Sequence, residues 1–435
     1  MDALTYLIYG LPVVLLLVWH VMRRRRFERR SEEIRERTGR AEPASLHPVI
    51  NQRCIGCASC VKACPEQEHH AILGIVRGRA ELINPGDCIG HGACKTACPV
   101  EAITLVFGTE RRGVDIPVLT PNFETTVPGI FVAGELGGMG LIRNALEQGR
   151  QAMEAIRSSR GKASSASGDM LDVLIVGAGP AGFAASLTAM AHGMRFATIE
   201  QESLGGCVFQ YPRGKLVMTA PATVPLVGKI NFRQTSKEAL LEFWKEAERK
   251  TGVKINYRER VEDITRERGG FVVKTSRAQY RTRTVLLAIG RRGTPRKLNV
   301  PGEELPKVVY RLIDPEQYAG QRVLVVGGGD SALEAAASVA ESGSGGVVLS
   351  YRGEAFDRAK ARNRDRVQAA ARSGSLQVML QSNVKKIDRE QVAIERGGEM
   401  LHMENDAVIV SAGGVLPSDF LRRVGISVET KYGTA

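Results

Sequence analysis

Past position 98 the 435-residue sequence has a single cysteine, Cys207. The later part of the chain therefore lacks any C-x-x-C pair, which excludes disulfide reduction by a dithiol. From Leu4 to Met22 (LTYLIYGLPVVLLLVWHVM) there is no acidic or basic side chain other than His20. The same stretch lacks the marks of a cleaved signal peptide, which carries positive charge before its apolar core and small residues after it. Here Asp2 precedes and Arg23–Arg26 follow.

What is present begins with length. The chain can hold two or three domains with cores of their own. Its 47 Gly suit nucleotide-binding α/β folds, which turn tightly and often. Net charge is +13, partly from residues 23–40, which hold nine Arg against four Glu. At about 1.5 Å rise per residue, the run 4–22 nearly spans a bilayer core. Tyr6, Tyr9 and Trp19 lie toward its ends, where aromatic rings favour the interface. Pro12 is tolerable in a membrane helix. The expectation is a transmembrane anchor over 1–22 and a basic juxtamembrane linker over 23–47. The arginines then put the N-terminus outside and the catalytic domains in the cytoplasm, a single-pass protein of the inner membrane.

Seven of the eight cysteines fall between positions 54 and 98. In a reducing compartment such clustering means metal, not disulfides. Residues 54–65 read CIGCASCVKACP, or C-x2-C-x2-C-x3-C-P, and residues 88–99 read CIGHGACKTACP, with His91 at the second position. Aligned cysteines are 34 residues apart, so this is an internal repeat. Short loops bring three thiolates to one cluster, and the fourth cysteine reaches the other. Residues 48–106 resemble the two-cluster bacterial ferredoxin domain. That resemblance implies one [4Fe-4S] cluster on Cys54, Cys57, Cys60 and Cys98, and a second on Cys88, Cys94 and Cys64. His91 stands in register with the missing cysteine. It is either the last ligand or a bystander beside a [3Fe-4S] cluster, and ligation is the reading preferred, since imidazole binds iron. A neutral ligand in place of a thiolate raises the reduction potential.

Residues 171–182, LDVLIVGAGPAG, run an apolar strand into G-x-G-x-x-G at Gly177, Gly179 and Gly182. Glu200 ends the next strand, FATIE. The glycines admit a pyrophosphate at a helix N-terminus and Glu200 suits ribose hydroxyls. A second fingerprint, QRVLVVGGGDSALEAA (321–336), has Gly327, Gly329 and Ala332. Its following strand, GVVLSYR, has no terminal acid; Arg352 is there, with Arg358 and Arg362 nearby. A cationic group at that point suits a 2′-phosphate, so NADPH is expected over NADH.

Two dinucleotide folds in one chain, with LLAIGRRGTPRKLNVPGEE (286–304) and VIVSAGGVLP (408–417) as the two crossings between them, resemble the thioredoxin-reductase-like flavoproteins. The resemblance covers most of residues 111–435 and implies FAD. In that family a final T-x-x-P-G-I-F-A-x-G-D segment and helix complete the flavin site. Here the corresponding TPNFETTVPGIFVAGELGG (120–138) and LIRNALEQGRQAMEAI (141–156) come before the flavin fingerprint. The expectation is a circular permutation, with 157–170 as the flexible linker joining the old ends. Gly134 and Glu135 then face the flavin, with Glu135 where the family has Asp.

The expected fold class is α/β: two Rossmann-like domains, a small α+β ferredoxin-like domain and one N-terminal transmembrane helix. The domains expected are 48–106 for the clusters, 107–156 for the displaced part of the flavin domain, 171–292 for its main part, 293–411 for NAD(P) and 412–435 for the return to the flavin domain. Function follows as a membrane-anchored oxidoreductase passing electrons between NAD(P)H, FAD, two clusters and a redox partner protein or membrane carrier. The alternatives are a disulfide or low-molecular-weight thiol reductase using Cys207, which otherwise reads as a small buried hydrophobe, and a non-catalytic redox sensor. A homodimer is left open, and no nucleic acid is expected among the partners.

Overall fold

The structure, a computed structural model, describes residues 3–38, 43, 46–67, 71–88, 90–110, 113–138, 140–159, 170–214, 216–218, 221–231, 234–291, 293–356 and 359–433. It divides into two compact units, Met1–Gly113 with Tyr432–Ala435, and Val114–Lys431. Arg358 and most of the expected linker 157–170 lie outside the described residues.

The first unit opens with one helix, Ala3–Thr38, which contains Pro12. From 13 to 38 the sequence has no Gly or Pro and is rich in Leu, Arg and Glu, all strong helix formers, so nothing stops the helix at the arginines. The helix thus runs through the stretch expected as the anchor and into the one expected as the basic linker. The expected transmembrane span is not supported: among the described residues no helix is long and apolar enough to cross a membrane. Toward its C-terminal end the helix docks on a β-hairpin, Leu73–Val76 with Arg79–Leu82. Ser31 is buried there, and a Cβ on Gly74 would come within 2.6 Å of its hydroxyl. Arg35 pairs with Glu81 at 3.0 Å. A second antiparallel pair joins His47–Ile50 to Ile103–Val106. Between these ribbons lie two short helices, Ser59–Ala63 and Ala93–Thr96.

In the second unit, Leu171–Val176 lies in a seven-stranded sheet between Phe196–Glu200 and Gln279–Leu287. Leu171–Val176, apolar at all but one position, suits a parallel strand covered on both faces. Ile130–Val132 joins the same sheet, parallel to Val285–Leu287. The helix Ile142–Ser159 packs on the helix Pro180–Ala191 so closely that a Cβ on Gly149 would fall 2.0 Å from the Ala181 carbonyl. Val428–Lys431 pairs antiparallel with Val114–Pro117. A five-stranded parallel sheet, ordered Val308–Val309, Ala407–Val410, Arg322–Val326, Gly346–Tyr351 and Leu376–Leu380, forms the second nucleotide fold. Thr294–Pro295 and Gly414–Val415, in the two crossings, pair with each other.

Candidate functional site

In the first unit the 34-residue repeat is repeated in the backbone. Gly56 and Gly90 have φ of 67° and 73°, and Ala58 and Gly92 have 59° and 80°. These left-handed positions turn the chain so that successive side chains converge before each short helix. Cys60, Cys64 and Cys94 are buried, Cys54, Cys88 and Cys98 half-buried, and Cys57 exposed. Cys64, Cys88, Cys94 and His91 line one cavity together with Glu66 and Leu105. Amide donors meet two of the other sulfurs: Ala80 N–H to Cys54 at 3.3 Å and Ala102 N–H to Cys98 at 3.2 Å. His91 Nε2 lies 3.7 Å from Cys64 Sγ, and the Ala93 amide donates to His91 Nδ1 at 3.0 Å.

Burial pushes the Cys60 and Cys94 thiols up to about 11 and raises those of Cys64 and Cys88. Burial lowers the pKa of His91. Hydrogen bonds from Ser59, its hydroxyl first, pull Cys57 down. Among the described residues no three such groups converge as ligands of one ion must. A cluster asks for something else, since its thiolates meet different irons. The donor set fits iron–sulfur clusters: soft thiolates, mostly sheltered, with amides available to the sulfurs.

In the second unit the first fingerprint is a cradle at the start of Pro180–Ala191. A Cβ on Gly177 (φ 106°) would strike the Ala288 carbonyl at 2.5 Å, and one on Gly182 would strike the Gly177 carbonyl at 1.7 Å. On Gly179 a Cβ would meet nothing nearer than 3.9 Å, so the space above the helix N-terminus is open. Glu200 is buried and accepts from the Ala178 amide at 2.7 Å and the Glu202 amide at 2.9 Å. Burial raises its pKa against those bonds. Gly134, at φ 84°, stands close to Ala181, and its amide donates to Gln148 Oε1 at 2.9 Å. Glu135 follows, exposed. Open space at a helix N-terminus, a buried carboxylate beyond it and Gly134 at its rim fit a dinucleotide such as FAD.

Cys207 is half-buried near this cradle. A Cβ on Gly206 would come within 3.1 Å of Gly179 Cα, and one on Gly290 within 3.7 Å of Cys207 Sγ.

The second fingerprint has the same form. A Cβ on Gly327 would meet the Ser411 carbonyl at 2.3 Å, Ala332 is buried, and Gly329 opens onto empty space before the helix Asp330–Glu341. Arg352 and Arg362 are exposed. Motif reading missed Asp330, which accepts from the Lys360 amide and from Asn363, both at 2.8 Å, tying the arginine-bearing loop to the fingerprint. It also missed Gln148, which no motif marks.

Two nucleotide cradles joined by paired crossings, in a chain that also carries a cysteine-rich cluster unit, define an iron–sulfur flavoprotein. Residues 174–434 match the model of the pyridine nucleotide-disulphide oxidoreductase family, to which the chain belongs. Residues 47–99 match the 4Fe-4S dicluster domain. It is an FAD-dependent NAD(P)H oxidoreductase with a 4Fe-4S domain. A ferredoxin–NADP reductase of Ignicoccus hospitalis is 31% identical, over 60% of this chain and 83% of that protein. A bacilliredoxin reductase of Bacillus subtilis is 26% identical, over 60% and 82%. The bacillithiol disulfide reductase structure from Bacillus cereus is 26% identical, with TM-score 0.52 over 59% of this chain and 82% of that one.

Proposed function

We propose that this chain moves electrons between NADPH and an external redox partner, by way of FAD at the first fingerprint and the clusters of residues 48–106. Bound FAD supplies the conversion of a two-electron hydride into single electrons, and the clusters carry those onward. The protein's share is to hold and orient. Gly177, Gly179 and Gly182 admit the pyrophosphate, Glu200 binds ribose, Gly134 and Glu135 border the flavin, and Gly327, Gly329 and Ala332 receive the nicotinamide nucleotide. Arg352, Arg358 and Arg362 meet its 2′-phosphate. The observation that carries the reading is the division of sulfur: one cysteine, Cys207, in the nucleotide unit, and seven in the cluster unit. The ferredoxin–NADP reductases among the relatives support a one-electron partner.

The flavin domain we read as circularly permuted. Support comes from Ile130–Val132 in the flavin sheet and from the pairing of Val114–Pro117 with Val428–Lys431. Attachment to a membrane belongs to the proposal on one observation, the exposed apolar side chains at Leu11, Val13–Trp19, Val21 and Met22. A second reading, single-thiol chemistry at Cys207, is favoured by its place beside Gly290 and by the disulfide-reductase relatives.

Stepwise anaerobic reduction with NADPH separates the two, with flavin followed by absorbance and clusters by electron paramagnetic resonance. Reduction of flavin and then clusters, unchanged in Cys207→Ser, is expected. Clusters that stay oxidised while a Cys207-dependent disulfide turnover proceeds would overturn the first reading.

A further inference from the structure

Resting on the cluster reading above, we propose that His91 is not an iron ligand but an N–H donor to the sulfur of Cys64, leaving the second cluster with three protein ligands, Cys64, Cys88 and Cys94. The repeat puts Cys57 and His91 at the same backbone position, each between two left-handed residues. Their side chains answer the following amide differently. At Cys57 the sulfur stands 3.4 Å from the Ser59 hydroxyl, and a thiolate there keeps lone pairs for iron. At His91 the amide of Ala93 donates to Nδ1 at 3.0 Å. A ring nitrogen that accepts from an amide carries no proton of its own, so this contact leaves Nδ1 bare and occupied.

The ring proton is therefore on Nε2, the nitrogen 3.7 Å from Cys64 Sγ. To bind iron through Nε2, that proton would have to move to Nδ1. There it would face the Ala93 N–H, donor against donor. Nε2 is also within hydrogen-bond reach of Cys64 Sγ, whereas side chains that cap different irons of one cluster must diverge. The cavity these residues share is also lined by Glu66 and Leu105, and Glu66 is a poor match for a soft site. The cluster corner facing His91 thus meets a proton and no lone pair. A donor to a ligand sulfur favours the reduced, more negative cluster and raises its potential. His91 is in this reading a positioning and tuning residue.

The test uses the full chain, reconstituted anaerobically with iron and sulfide, with FAD content recorded for every variant. The wild type should hold one iron fewer than two complete cubanes and show the resonance of an oxidised three-iron cluster, without strong coupling to a histidine nitrogen. His91→Ala should keep the iron and the resonance while the potential of that cluster falls. His91→Gln, which retains an N–H donor, should recover part of the fall, and His91→Cys should gain the missing iron. Two complete four-iron clusters in the wild type, strong nitrogen coupling, loss of iron in His91→Ala, or an unchanged potential in that variant would each overturn the inference. A wild type that takes up no cluster at all would overturn the electron-transfer reading as well; a four-iron second cluster overturns only this one.

Discussion

Glu202 receives both terminal nitrogens of Arg311 at 2.8 Å, 109 residues away, and a third bond from Gln210. Arg311 is the main reason its carboxyl titrates below the usual range. A carboxylate whose pKa is depressed by folding adds stability above its unfolded value, about 4.3, and that contribution disappears as pH falls through the folded value. Glu202→Gln should therefore be less stable than wild type at pH 7, with the gap closing at pH 3. Thermal melts of the two proteins at both pH values check it. Glu200 was legible in the sequence, because a carboxylate at the end of a second strand has a fixed spacing from a glycine fingerprint. Glu202 was not, since no short-range pattern points to an arginine 109 residues on. Cys207 was visible, but its nearness to Gly290 depends on a fold that brings residues 83 positions apart together.

The helix Ile142–Ser159 meets the helix Pro180–Ala191 through Gly149, where there is no room for a side chain. Gly149→Ala should cost about 1–3 kcal/mol, as overpacked cores do, and should weaken FAD retention; denaturant melts and bound-flavin absorbance measure both. The proposed permutation rests in the sequence on P-G-I-F-V-A-G-E, a motif specific enough to be noticed ahead of the first glycine fingerprint. At the N-terminus the expected membrane span is not supported, although the helix itself continues past the apolar stretch. Charge changes abruptly at residue 23, and composition registers that change, whereas helix propensity does not change at all. The helix also brings Arg24 Nη2 within 3.7 Å of where a Cβ on Gly56 would lie, between Cys54 and Cys57. A cation there favours a reduced cluster. Arg24→Gln should lower the potential of the cluster on Cys54, Cys57, Cys60 and Cys98, modestly, because Arg24 is half exposed and shared with Glu28. A redox titration that finds no change in that potential would remove Arg24 from the tuning shell.

For the whole molecule, the proposal turns on which nucleotide enters. Arg352→Ala should raise KM for NADPH by roughly tenfold, the effect of losing about 1.4 kcal/mol of charge pairing, and leave KM for NADH unchanged. Steady-state kinetics with an artificial acceptor decide it, and an equal rise for both nucleotides would count against the 2′-phosphate contact. The pairing of Val114–Pro117 with Val428–Lys431 has a consequence during synthesis. Domains tend to fold from the N-terminus as they are made. The cluster unit draws its strand pairs and helices from local sequence and can form early. The strand at 114–117 must then wait, unpaired, until residue 431 has left the ribosome. A waiting strand is an invitation to the wrong partner. This one is four residues long, with Asp115 in its middle and Pro117 at its end, and each of those features discourages pairing with a stranger.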